Sequence, residues 1–301
     1  MRLGIRADEQ SFARFEDFAA WIDGLAAGWD SVWLGAHQSW DPLSLVTAVG
    51  RQRPDLSYGS GVALTYPQHP VALAMQALTA QAATGGRFTL GLGTGHRNVI
   101  DRVYGYPADR PAQHVREYLT VLGPLLRGEQ VDYRGQTLAV SGAVTVPGIS
   151  APHLLLAALG PVLLRLAGSL ADGTILSWAT PRAVAQYVAP LITKAAAEAD
   201  RPAPEIIAMV PVCIDENAGE LRAWAAGRFA GSAALPNYQA ILDRGGAKDI
   251  TDAMALGPEA VVTAQLGRLA EAGATGIVAM PVGSSDQIDR TVSALASWGG
   301  P

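Results

Sequence analysis

Between Gly85 and Arg97 the chain reads GGRFTLGLGTGHR. An apolar strand, Phe88 to Leu92, breaks into a glycine-spaced loop, Gly93-Thr94-Gly95, and then presents His96 and Arg97. Glycine has no Cβ, so backbone amides there can approach a ligand closely. An imidazole that titrates near neutrality and a fixed cation follow at once. The same residues also suit a tight turn with two solvated basic side chains. The segment counts because other strand ends carry comparable groups.

Those ends are Gly35-Ala36-His37-Gln38-Ser39-Trp40, the stretch Gly59 to Tyr66, Leu159-Gly160-Pro161, and Ser177-Trp178-Ala179-Thr180. None supplies the paired Asp/Glu that glycoside hydrolysis requires. No His-x-His follows the first apolar run and no exit sets a carboxylate beside a histidine, so no catalytic metal is expected. The two lysines, Lys194 and Lys248, fall on a surface-patterned helix and in a Gly/Asp-rich loop, which argues against Schiff-base chemistry at a strand end. A single cysteine excludes an intrachain disulfide framework, and Cys213 reads as a buried inert thiol within the apolar run Ile206 to Ile214.

What remains is glycine, small hydroxyls, two histidines, one arginine and aromatics. That set suits a flat, hydrophobic cofactor with an anionic tail: amides and hydroxyls for phosphate, Trp and Val for a ring. The cofactor would carry redox chemistry, with the protein supplying orientation and one proton. His37 and His96 read either as ligand contacts or as histidines bonded to a loop carbonyl. Trp178 reads as a ring contact or as a cap on the core. His69, His114 and His153 read as structural or solvated.

Eight short apolar runs would have to carry these ends: Arg2–Arg6, Ser31–Gly35, Leu56–Val62, Phe88–Gly93, His153–Ala158, Thr174–Trp178, Ile206–Ile214 and Gly276–Val282. Several lack in/out alternation, as expected of parallel strands buried on both faces. Helical stripes lie between them, such as Phe15, Phe18, Ala19, Ile22, Leu25 and Val115, Tyr118, Leu119, Leu122, Leu125, Leu126. Eight β/α alternations without a linker predict a single α/β domain over residues 1–301, a (β/α)8 TIM barrel. Insertions follow the fourth and seventh strands. The first contains a hairpin, Gln130–Tyr133 and Gln136–Val140, turning at Arg134-Gly135. The second, residues 215–275, holds more helix than one unit needs and reads as a lid, a substrate wall or an oligomer surface.

A net charge of −5 gives no basic footprint, which argues against nucleic acid as a partner. The N-terminus shows no signal-peptide h-region, and the most apolar run, Leu154 to Leu164, is too short to span a bilayer. A cytoplasmic protein with a small-molecule substrate and no membrane partner is expected.

The chain resembles the bacterial luciferase-like superfamily of flavin- and coenzyme F420-dependent oxidoreductases over nearly its whole length. The likeness rests on Gly28-Trp29-Asp30-Ser31-Val32-Trp33, Asp41-Pro42-Leu43, Gly61-Val62, Gly85-Gly86-Arg87 with Gly91-x-Gly93-x-Gly95, Gly160-Pro161 and Ala171-Asp172-Gly173. It implies a non-prolyl cis peptide at Gly61–Val62, with Val62 and Leu64 beside the cofactor ring. It also implies that Thr94, Gly95, Leu159, Gly160, Val162 and Leu163 line the phosphate and ribityl-like tail, and that the protein is a homodimer. Among sugar-phosphate-oxidising relatives a strand-two Asp-His pair, a Trp and a strand-four Glu handle the proton. Here His37 and Trp40 persist, Ala36 replaces the Asp, His96 replaces the Glu, and Val99 stands at a cofactor-contacting Asn. The resemblance implies an F420-dependent oxidoreductase acting on a small organic substrate. Few strand-exit side chains titrate near neutrality, which assigns proton chemistry to His96, with His37 as orienter or alternative donor. An FMN-dependent monooxygenase using reduced flavin and oxygen is the alternative, and a non-catalytic flavin-binding protein is a third reading.

Overall fold

A computed structural model describes residues 1–36 and 38–298 of the chain. Its strands are β1 (Arg2–Arg6), β2 (Ser31–Leu34), β3 (Ser57–Ser60), β4 (Ala63–Leu64), β5 (Phe88–Gly93), β6 (Val131–Arg134), β7 (Ala139–Gly142), β8 (His153–Ala157), β9 (Gly173–Ser177), β10 (Glu205–Ile214), β11 (Ala255–Gly257) and β12 (Gly276–Pro281). Eight of them pair in parallel around a closed ring, β1-β2-β3-β5-β8-β9-β10-β12 and back to β1. Typical registers are Ile5 opposite Val32 and Leu156 opposite Thr174. Helices fill the crossovers, so the fold is a (β/α)8 barrel.

The expected helical stripes face the sheet. Phe18 and Ile22 are buried on the helix Phe15–Asp23, and Val115, Tyr118, Leu119, Leu122, Leu125 and Leu126 are buried on the helix Pro111–Leu126. A separate apolar cluster fills the barrel interior: Trp33, Leu155, Ile175, Ile207, Met209 and Val278, with Val62, Ala157 and Met280 packed against it. Trp33 takes space that glycines leave. A Cβ on Gly59 would lie 2.5 Å from its ring, and one on Gly61 would strike the Met209 methyl.

The third predicted run is two strands. β3 stops at Ser60, the Gly61–Val62 peptide is cis as the resemblance implies, and β4 then pairs with β5. Where the ladder breaks, the buried Ser60 hydroxyl donates to the Gly91 carbonyl and accepts the Gly91 N–H, both at 2.9 Å. The backbone thus keeps its hydrogen bonds across the bulge.

Both insertions occur where expected. The hairpin is β6–β7, but its turn lies later than predicted, with Gly135 N–H bonded to Leu138 O at 2.8 Å. The cause is the buried Glu117 carboxylate, which accepts the N–H groups of Gln136 (2.9 Å) and Thr137 (2.8 Å) and so places the turn beyond Arg134-Gly135. The second insertion adds β11 at the edge of β10 and the helices Ala218–Arg228, Ala230–Ala233 and Pro236–Arg244. No helix among the described residues is long and apolar enough to cross a membrane.

Candidate functional site at the carboxyl ends of the strands

Parallel barrels present their strand exits on one face, and six exits here bring chemistry together. β5 ends in Thr94, whose hydroxyl donates to Gly95 O at 3.3 Å. Gly95 adopts φ +72°, a left-handed conformation that favours glycine. His96, half-buried, then caps the short helix Arg97–Arg102, which carries Val99. Leu64, on β4, packs beside Gly95, where an added Cβ would meet its Cδ2 at 3.1 Å. Gly91 and Gly93 serve a different purpose from the one their spacing suggests. A Cβ on Gly91 would strike Ser60 O and Ile175, and one on Gly93 would lie 2.5 Å from Val62 Cγ2. Those two glycines make room for the barrel's own interior rather than for a ligand.

β8 ends at Leu159-Gly160. Gly160 opens the helix Pro161–Leu170, and a Cβ built on it would meet nothing within 4 Å. Pro161 has no N–H, and the first intrahelical bond runs from Leu164 N–H to Gly160 O at 3.0 Å. The N–H groups of Val162 and Leu163 therefore sit at the positive end of the helix ahead of its ladder. No side chain caps this terminus, and Val162 is 45% exposed. This is open backbone of the kind that binds an anion.

β9 ends in Trp178, buried and held at φ +60°. Its ring centroid lies 5.2 Å from Phe229 and 6.1 Å from Tyr238, both on the second insertion. The Tyr238 hydroxyl lies 3.4 Å from His96 Nε2, with the two rings edge to face at 5.5 Å. Trp178, Tyr238 and His96 therefore form one contiguous group that joins the β5 exit, the β9 exit and the insertion.

The β1 exit, which the census of strand ends did not include, adds one carboxylate. Glu9 follows the strand, wholly buried, with Oε1 3.3 Å from Arg6 Nη2 and Oε2 accepting the Gly35 N–H at 3.5 Å. Asp8-Glu9 directly after the first apolar run was the available signal. On the β2 exit, His37 lies outside the described residues. Trp40 donates its indole N–H to Phe12 O at 3.1 Å and, with Leu64, Ala36 and Tyr104, lines a cavity of about 140 Å³. A larger groove, about 520 Å³, runs between the segment after β4, the helix Pro111–Leu126 and the hairpin turn, with Tyr66, Gln68, Arg110 and His114 in its walls. Thr94, Gly95, His96 and Gly160 line neither of these two cavities.

The three other described histidines and the cysteine have local structural partners or are buried. His69 Nδ1 accepts the Val71 N–H (3.3 Å), and His153 pairs with Glu205 (3.5 Å) at the opposite end of the barrel. His114 Nε2 bonds the Thr65 hydroxyl at 2.9 Å, and burial pushes the His114 pKa down. Burial pushes the Cys213 thiol up to about 11, so it is inert. No cluster of three or more metal-ligating side chains occurs among the described residues.

Known proteins similar to this chain narrow the family. An F420-dependent glucose-6-phosphate dehydrogenase of Mycolicibacterium smegmatis is 31% identical over 71% of this chain and 68% of its own length. A 5,10-methylenetetrahydromethanopterin reductase of Archaeoglobus fulgidus is 27% identical over 52% of this chain, and the match spans about half of that protein, 47%. The solved structure of the F420-dependent tetrahydromethanopterin reductase of Methanopyrus kandleri superposes with a TM-score of 0.74 at 19% identity, covering 99% of this chain and 97% of that one. The family model of the luciferase-like monooxygenases matches residues 2–300, and the chain belongs to that family.

Proposed function

We propose that the protein binds coenzyme F420 at this face and is an F420-dependent oxidoreductase acting on a small organic substrate. The observation that carries the reading is the open backbone at Gly160, where an added Cβ meets nothing and the Val162 and Leu163 N–H groups precede the first hydrogen bond of an uncapped helix. Such a cradle fits a phosphate-bearing tail. Thr94, Gly95 and Leu159 would flank it, and Gly61, Val62, Leu64 and Trp178 would border the ring, with Val99 nearby. Relatives named for F420 support the choice of cofactor.

When bound, the deazaflavin supplies hydride transfer to or from the substrate. The protein's part is orientation, exclusion of water and one proton. His96 holds that proton at a ring nitrogen, beside Tyr238. His37 and Trp40 on the β2 exit orient the substrate, and the pair of half-buried Arg6 with buried Glu9 sets a fixed field at the β1 exit. The same reading takes the protein as a cytoplasmic homodimer, a state that light scattering on purified protein measures.

Fluorescence titration of the purified chain with F420 and, separately, with FMN tests the proposal. Saturable F420 binding tighter than FMN is expected. Tight FMN binding with none for F420 would move the reading to an FMN-dependent monooxygenase, and binding of neither would overturn it.

A further inference from the structure

The large groove beside the strand exits has a wall of stacked rings. Tyr66 lies flat on the His114 ring, with centroids 4.0 Å apart and planes 9° from parallel. His114 is in turn tilted against Tyr118 at 5.5 Å and bonded to the Thr65 hydroxyl at 2.9 Å. Tyr66 ends this stack, half-buried at the groove. A ring held flat in this way offers stacking to an aromatic ligand. The groove volume, about 520 Å³, lies in the range of pockets that hold drug-sized molecules.

Fixed charge is confined to the rim. Among the lining residues only Asp109 and Arg110 carry one; both side chains are mostly exposed and stand 3.9 Å apart, so each offsets the other. Burial pushes the His114 pKa down, which keeps the wall behind Tyr66 neutral. An anion entering the groove would give up water and find no unpaired fixed cation in its walls.

Gln68 stands where this groove meets the smaller cavity at the β2 exit, and it lines both. Its backbone is anchored, the carbonyl accepting the Tyr118 hydroxyl at 3.0 Å. Its side-chain amide is not: Oε1 is buried without a hydrogen-bond partner, and no bond among the described residues holds the other end. With the oxygen enclosed, the end left for a ligand is the NH2 group, which only donates. The uncharged complement of such a donor is a carbonyl oxygen.

We propose that the groove and the smaller cavity form one substrate site for an uncharged aromatic carbonyl compound, its ring laid against Tyr66 and its oxygen accepting a hydrogen bond from Gln68 Nε2 at the junction. Its standing as a substrate site rests on the reading of this face as an oxidoreductase's, and it narrows the substrate to a ring compound without phosphate or carboxylate. Thr94, Gly95 and Gly160 line neither cavity, so the substrate and an anionic cofactor tail do not compete.

Equilibrium dialysis of the purified chain against three probes is the test. These are 2-acetonaphthone, with ring and carbonyl; 2-ethylnaphthalene, which lacks the oxygen; and 2-naphthoate, which is charged. Saturable binding of 2-acetonaphthone is expected, with the other two weaker by about tenfold or more. Gln68→Leu should lower 2-acetonaphthone affinity about tenfold and leave 2-ethylnaphthalene within about twofold. That variant removes an unpartnered amide and breaks no bond, so the fold should hold. Tyr66→Leu should weaken both uncharged probes. Equal affinity for ketone and hydrocarbon, tightest binding of 2-naphthoate, or ketone binding untouched by both variants would overturn the proposal. So would binding that falls as protein concentration rises, which would assign the groove to a second copy of the chain.

The probes need no cofactor, so the two readings fail separately. Ketone binding by a chain that takes neither F420 nor FMN upholds the ligand class and sinks the oxidoreductase reading. Displacement of the ketone by F420 or FMN would give the groove to the cofactor and overturn its assignment to substrate.

Discussion

Glu117 accepts both the backbone N–H and the side-chain hydroxyl of Thr137, each at 2.8 Å, from a carboxylate that is 1% exposed. Gln113 Nε2 and the Gln136 N–H add two more donors at 2.5 and 2.9 Å. Burial alone would raise the Glu117 pKa, but these donors outweigh it and hold the carboxyl down to about 2. A depressed folded-state pKa contributes stability that is complete above the unfolded value, near 4.5, and is lost as pH falls toward 2. Thermal unfolding should therefore show stability falling across that window. Glu117→Gln should flatten the dependence and cost about 1–3 kcal/mol at neutral pH, because buried donors lose a charged acceptor. An unaltered acid-side slope in the variant would assign the dependence to other carboxylates.

Gly160→Val isolates the anion cradle. Its Cβ meets nothing in the protein, and φ is −91°, so the fold should tolerate the change. Cofactor affinity should fall at least about tenfold, roughly 1.4 kcal/mol. Equal affinity in a folded variant would place the tail elsewhere.

Gly59→Ala makes the opposite case. Its Cβ would sit 2.5 Å from the Trp33 ring in the barrel interior, so overpacking should cost about 1–3 kcal/mol. Combining it with Trp33→Leu should recover part of that loss, and denaturant unfolding of the three variants measures the coupling.

His96→Ala should lower single-turnover rates about 10²–10⁴-fold with near-normal cofactor binding, and His37→Ala should lower them by less. A dead His37 variant beside an unimpaired His96 variant would exchange the two roles. Wild-type rates in both would assign the proton to water or substrate.

Strand positions were legible because apolar runs report burial directly. Arg2–Arg6 and Phe88–Gly93 match the structure to the residue, and the ring of eight follows from their alternation with helical stripes. Partners across long separations leave no such periodic trace. Tyr238 and His96 stand 142 residues apart, and Arg6 with Glu9 reads locally as an ordinary charged loop. Motifs also mislead about which end of the barrel they serve. Gly85-Gly86-Arg87 looks like part of a ligand loop, yet Arg87 donates to the carbonyls of Gly50, Arg53 and Leu56, before β3. Asp30 and Asp172, from two other motifs, accept the N–H groups of Leu3 and Leu154 at the starts of β1 and β8. These residues define the scaffold, and the chemistry is carried elsewhere.

The helix Pro111–Leu126 bears both walls of the large groove. His114 holds Thr65 and Tyr118 donates to Gln68 O at 3.0 Å on one side, while Glu117 holds the hairpin turn on the other. Three residues within five positions thus act as a common axle for two otherwise separate loops. The gap between them is gauged by one rod: moving the helix carries both walls together, and widening the groove means breaking one of these bonds.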